Sequence, residues 1–225
     1  SSHYFRYTID RERAKDMKQI TKELVASWIP IRDENTYKNK MGHILCVGGN
    51  ANMGGAVILS ASAALYAGAG LVTVASAPEN LHALHARIPE AMFTNMYDFE
   101  TLLDMVKKAD VIVLGPGLGL SEESLEVFKQ VIHALNEDQW LVIDGDAITH
   151  FVNEKNSLQI PTKNVIFTPH LGEWHRMTNI EPPAEDVKVN QQQKEALDAV
   201  IVLKKARSEI YIKNEIWQNT TGNPA

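Results

Sequence analysis

One cysteine, Cys46, in 225 residues leaves no partner for an intrachain disulfide, and a chain without cross-links fits a reducing compartment. Polar or charged groups interrupt every apolar run before it reaches the roughly 18 residues that a bilayer-spanning helix needs. The opening stretch SSHYFRYTIDRERAKD has no apolar core of the signal-peptide kind. Basic residues are outnumbered, 22 Lys and Arg against 28 Asp and Glu, for a formal charge of −6. A broad nucleic-acid surface needs clustered cations and is therefore not expected. Internal repeats and low-complexity tracts are also missing. These absences point to a soluble cytoplasmic protein with no membrane or nucleic-acid partner.

The remaining composition, 44% hydrophobic and 22% charged, is that of an ordinary globular chain, and the length suits one large α/β domain or two small ones. Residues 12–29 place Ile20, Leu24, Val25 and Trp28 at a helical spacing, so 1–37 is expected to be a helical lead-in to a larger body at 38–225. From His43 onward, short β-branched runs recur at 44–47, 71–75, 111–114, 141–143, 165–167 and 200–203. Continuous apolar runs of that length suit strands buried on both faces. Segments of helical length separate most of them, including 55–67, 99–108 and 121–135. The alternation predicts an α/β fold with a mainly parallel central sheet and helices on both faces. Residues 209–218 predict a hairpin turning at Lys213-Asn214. The stretch GAVILSASAALYA at 55–67 is apolar around nearly its whole circumference, which predicts a buried helix.

Five polar or glycine-rich stretches directly follow predicted strands: GGNANMGG at 48–55, GPGLG at 115–119, DGD at 144–146, TPHLGE at 168–173 and KKARS at 204–208. In a parallel sheet all strand carboxyl ends share one edge, so these stretches are expected to gather at one cleft. GGNANMGG reads as a flexible turn or as an anion-binding helix entry. It lacks the Lys and hydroxyl of a phosphate loop, since Ala56 and Val57 stand there. GPGLG reads as a tight turn or as backbone approaching a ligand; it is not the dinucleotide fingerprint, because Leu120 takes the place of the last Gly. Asp146 reads as a helix cap, and Asp144 as a carboxylate that orients a hydroxyl or a hydrated cation. His170 enters a turn behind Pro169, and Glu173 either caps the next helix or contacts a metal through water. Lys204, Lys205 and Arg207 form a solvated charged face or a polyphosphate site. His82 and His85 have no third metal ligand nearby, and Cys46 sits inside a strand pattern as inert core.

These phrases in this order resemble the ADP/ATP-dependent NAD(P)H-hydrate dehydratases, a branch of the ribokinase-like superfamily. The similarity runs through KNKMGHILCVGGNANMGGAVILSASAALYAGAGLVTVAS, VIVLGPGLG, LVIDGDAI, TPHLGE, VIVLKKARS and the terminal TGNPA. The resemblance implies a lyase that phosphorylates the C6 hydroxyl of hydrated NADH or NADPH from ADP or ATP and then eliminates phosphate. ADP is the expected donor, with Mg2+, and AMP and phosphate are the expected products. It implies hydrated-nucleotide contacts at Ala56, Gly117 and His170, and nucleotide-phosphate contacts along Lys204, Lys205, Ala206, Arg207 and Ser208. Glu173 resembles the acidic residue near a water-bridged magnesium ion. A homotetramer and a functional link to an NAD(P)H-hydrate epimerase are further implications. Two departures stand out. Where the family loop reads KGA, one residue and Thr, Lys205 replaces the Gly and Ser208 the Thr. The family's Gly-rich anion hole and its Gly-Asp base would follow Ala225, so the sequence is expected to be a fragment with its catalytic Asp beyond it. A vitamin-precursor alcohol kinase and a non-catalytic nucleotide-binding protein are the alternatives.

Overall fold

The computed structural model describes residues 17–29, 42–181 and 186–221. The expected boundary at 37/38, residues 12–16 of the lead-in and the terminal Gly222–Ala225 lie outside the described residues. Two compact units emerge, one of residues 42–167 and one of 17–29 with 168–221.

The 42–167 unit is built on six parallel strands: β2 (His43–Val47), β3 (Leu71–Ser76), β4 (Met92–Asn95), β5 (Val111–Leu114), β6 (Trp140–Ile143) and β7 (Val165–Phe167). Their order is β7-β6-β5-β2-β3-β4. The helices α2 (Gly54–Tyr66), α3 (Leu81–Arg87), α4 (Phe99–Lys108), α5 (Glu122–Ala134) and α6 (Asp146–Glu154) connect them. The α/β class with a mostly parallel sheet is thus as the sequence predicted. Leu45, Ile112, Leu114, Leu141 and Ile143 are fully buried in adjacent central strands, which is why their runs are continuously apolar rather than alternating. Helices α4 and α5 do alternate: Leu102 and Val106, and Val127, Phe128 and Val131, turn inward. Asp98 and Ser121 cap them by accepting the Thr101 and Ser124 amides, satisfying donors that the first helical turn leaves open.

Helix α2 differs from its expected burial. Val57, Ile58 and Ala61 pack on Cys46, Val72 and Val74, but Leu59 is 67% and Tyr66 74% exposed. One side rests on the sheet, and among the described residues nothing covers the other.

The second unit holds β1 (Met17–Gln19), α1 (Lys22–Trp28), α7 (Leu171–Thr178), α8 (Val187–Leu197) and the strands β8 (Val200–Leu203), β9 (Glu209–Ile212) and β10 (Glu215–Gln218). β8, β9 and β10 are antiparallel neighbours, and β1 joins β10 in parallel. The hairpin forms as predicted, with Lys213 in the left-handed region at φ 51°. The lead-in departs from a helix over 12–29, because Met17–Gln19 is a strand and helix begins only at Lys22. The side chain of Thr21 accepts the Leu24 amide and starts that helix. The edge position beside β10 makes the strand, with Lys18 lying 5.1 Å over the Trp217 ring, and no three-residue pattern reveals that.

Candidate functional site

In the 42–167 unit the chain runs outward from β2 to β3 and β4, then returns to the opposite side of β2 to continue through β5, β6 and β7. The turns after β2 and β5 therefore leave the sheet side by side, at the point where strand order reverses, the place where such sheets bind ligands. The turn after β2 leans on the turn after β5: the Gly49 amide donates to Pro116 O at 2.8 Å and the Asn50 amide to Gly117 O at 2.7 Å. Two glycines make this approach possible. A Cβ on Gly48 would lie 2.2 Å from Pro116 O, and one on Gly117, whose φ is +64°, would lie 2.4 Å from Met53 O. Glycine here is required by turn packing against turn, a reason the sequence alone could not separate from ligand approach. The same geometry brings two expected substrate contacts together, since Ala56 Cβ lies 3.2 Å from the ideal Cβ position of Gly117. Helix α2 starts here with no side-chain cap, leaving its first amides to other partners.

Helix α6 grips the end of the second turn. Asp146 Oδ2 accepts the Gly119 amide at 2.8 Å, and His150, one helical turn on, hydrogen-bonds Gly119 O through Nε2 at 2.9 Å. Asp146, expected as a helix cap, thus has a partner 27 residues away, while Gly145 occupies the N-cap position. Asp144 takes the strand-end position, its amide donating to Leu114 O at 3.0 Å. Burial holds the His150 imidazole below its usual pKa of 6.5, so its neutral form, with the Nε2 proton on Gly119, is the native one. Burial likewise pushes the Cys46 thiol up to about 12, in keeping with inert core.

In the other unit, His170 is the N-cap of α7. Its Nδ1 accepts the Glu173 amide at 3.3 Å, and Glu173 Oε2 accepts the His170 amide at 2.8 Å, closing a reciprocal capping box. Glu173 is buried and its second oxygen lies 3.5 Å from His170 Nε2. One carboxylate oxygen thus serves the helix cap. No cluster of three or more His, Cys, Asp or Glu able to hold a metal occurs among the described residues. The turn after β8 starts beside His170: His170 and Lys204 form a parallel bridge, and the Lys204 amide donates to Pro169 O at 2.8 Å. Lys204, Ala206 and Arg207 are exposed, and Ser208 is half-buried.

A family profile for NAD(P)H-hydrate dehydratase matches residues 44–225. The chain belongs to that family. It is 41% identical over 212 residues to the ADP-dependent (S)-NAD(P)H-hydrate dehydratase of Listeria monocytogenes, covering 93% of this chain and 74% of the relative. A ribokinase-like superfamily protein from Enterococcus faecalis superposes with a TM-score of 0.88 at 40% identity, covering 92% of this chain and 73% of that one. The Bacillus subtilis ADP/ATP-dependent NAD(P)H-hydrate dehydratase, co-crystallized with ATP/Mg2+, gives 0.75 at 26% identity over 92% and 74%.

Sequence reasoning missed two residues that shape the turns of this dehydratase-family chain. Asn80, buried behind the turn after β2, donates to Gly49 O at 2.9 Å and Asn50 O at 3.2 Å. No local pattern marks it. His150 was legible in principle, because it stands four residues after Asp146 and so shares its helical face. Its depressed pKa has a consequence for stability. The unfolded chain binds the proton more readily, so the contribution of neutral His150 is complete above about pH 6.5 and is lost as pH falls below it. Urea midpoints between pH 5 and 8 should fall more steeply on the acid side for the native protein than for His150→Gln, whose amide keeps a donor near Nε2 but does not titrate. Equal slopes would remove His150 from the acid sensitivity.

Proposed function

We propose that this chain acts as an ADP-dependent (S)-NAD(P)H-hydrate dehydratase on hydrated NADH or NADPH. Family membership supports the chemistry, and the observation that carries the reading is the exposed Lys204–Arg207 turn beginning beside His170. In this reading Ala56, Gly117 and His170 contact the hydrated nucleotide, and Lys204, Lys205, Ala206, Arg207 and Ser208 form the phosphate-binding turn. Exposed lysine and arginine next to turn amides suit a polyphosphate, whose transfer is catalysed by positioning and charge stabilisation.

The reaction balances as follows. The C6 hydroxyl of the hydrate gives up its proton to solvent as its oxygen bonds to the β-phosphorus of ADP, the bridging P–O bond breaks and AMP leaves with that electron pair. The C6–O bond then breaks, phosphate departs with the electron pair assisted by the ring nitrogen, and loss of the C5 proton restores the double bond. Phosphorylation turns a poor leaving group into a good one. No cluster of three or more His, Cys, Asp or Glu forms a cage for a resident metal among the described residues. Mg2+ belongs to this reading as a partner of the nucleotide phosphates, where it supplies charge neutralisation. A homotetramer and a cytoplasmic location complete the proposal. Use of the S epimer alone implies an epimerase that converts the other.

The test is to incubate the protein with hydrated NADH and ADP and follow the absorbance of the reduced nicotinamide. Recovery with AMP and phosphate released in equal amounts is expected; no recovery with ADP or ATP rejects the assignment, and a stable phosphorylated product favours a kinase.

A further inference from the structure

The Lys205 ammonium is not turned to solvent. It pairs with Oε1 of Glu209, four residues on, and the two side chains are 23% and 4% exposed. A buried carboxylate needs such partners, and Glu209 has a second, the Tyr211 hydroxyl donating to Oε2 at 2.5 Å. Tyr211 in turn accepts from Asn190 Nδ2 at 3.1 Å, and Asn190 Oδ1 accepts from Trp174 Nε1 at 2.8 Å. Trp174, Asn190 and Tyr211 are all buried. The hydrogen bonds thus run from α7 through α8 to β9 and end on the turn. The turn is also held at both ends, by the Lys204 amide on Pro169 O and by the Asn219 amide donating to Ser208 O at 2.9 Å. The Ser208 hydroxyl closes on Lys205 O at 3.4 Å.

We propose that Lys205 is a positioning residue rather than a phosphate ligand: clamped by buried Glu209, it shapes the Lys204–Ser208 turn so that exposed Lys204 and Arg207 face the phosphates of a nucleoside diphosphate. The inference deepens the dehydratase reading and rests on it for the identity of the ligand.

Two readouts test it in Lys205→Ala, Glu209→Gln, their double variant and Lys205→Arg. The first, trypsin cleavage of the Arg207–Ser208 bond in the nucleotide-free protein, reports order in the turn without reference to any activity. The second is the KM for ADP against kcat. Both single variants should be cut faster and show a higher ADP KM, each by about fivefold, with a smaller change in kcat; the double should be no worse than either single, as coupled residues behave. Lys205→Arg, which keeps the charge, should recover most of both. If Glu209→Gln leaves ADP KM unchanged while Lys205→Ala raises it, Lys205 touches phosphate itself and the proposal fails. Unchanged cleavage in both singles also overturns it. Faster cleavage in a protein that binds no ADP would uphold the clamp and sink the nucleotide reading instead. Should Glu209→Gln not fold, Tyr211→Phe weakens the same carboxylate from its other oxygen and should move both readouts in the same direction.

Discussion

Gly115→Ala is expected to destabilise the protein by about 2–6 kcal/mol. A Cβ at this position would lie 1.9 Å from Asp144 O, 2.5 Å from Ala147 Cβ and 2.8 Å from Ala147 N. Two of those three atoms are backbone, so no side-chain rotation relieves the clash. The backbone itself sits at φ +121°, a region alanine avoids. Strain at such a φ costs about 1–3 kcal/mol, and overpacking about 1–3 kcal/mol more. Against a total stability of about 5–15 kcal/mol, that is a large part of the margin. Gly55→Ala is the control, because its Cβ would meet nothing within 4 Å. Near the start of α2, alanine should be neutral or stabilising by up to about 1 kcal/mol. Urea denaturation of the two variants reads the difference; a Gly115→Ala loss no larger than that of Gly55→Ala would contradict the packing argument.

The second large effect concerns activity. Asp146→Ala removes the acceptor from the Gly119 amide and leaves His150 alone on the Gly119 carbonyl. An unpaired amide costs about 1–3 kcal/mol. The greater loss is expected in kcat/KM for the hydrated nucleotide, by about 10- to 100-fold, because a loosened turn would displace Gly117 from the substrate contact proposed for it. Asp146→Asn keeps an oxygen acceptor and should retain most of the activity. A wild-type kcat/KM for Asp146→Ala would show that the grip on Gly119 has no bearing on catalysis. An Asn variant as damaged as the Ala variant would assign the effect to the carboxylate charge instead.

Much of the fold was legible because burial leaves a local mark. Val111–Leu114 and Val200–Leu203 read as strands from four consecutive apolar residues, and both are strands within those bounds. Helix α4 was visible in 99–108 because its apolar positions recur at the helical period. Strand β4, Met92–Asn95, went unread, since its pattern of one buried, one exposed and two half-buried residues carries no clear period and its strand character comes from pairing with β3. The exposure of Leu59 and Tyr66 was likewise hidden, because an apolar side chain does not say whether anything covers it.

The site divides in the same way. The family, and the turns that belong to it, were readable in GGNANMGG, GPGLG and TPHLGE, because glycines and capping residues announce turns wherever they fall. The sequence by itself determined the α/β class, the places where strands end and the turns that follow them. Only the tertiary structure decided that β2 and β5 are neighbours, that Asp146 serves Gly119 rather than its own helix, and that Glu209 holds Lys205. The physical reason is range: hydrophobic period and turn chemistry act over a few residues, whereas strand order and buried hydrogen-bond partners arise from contacts between segments that are far apart along the chain or brought together only by packing.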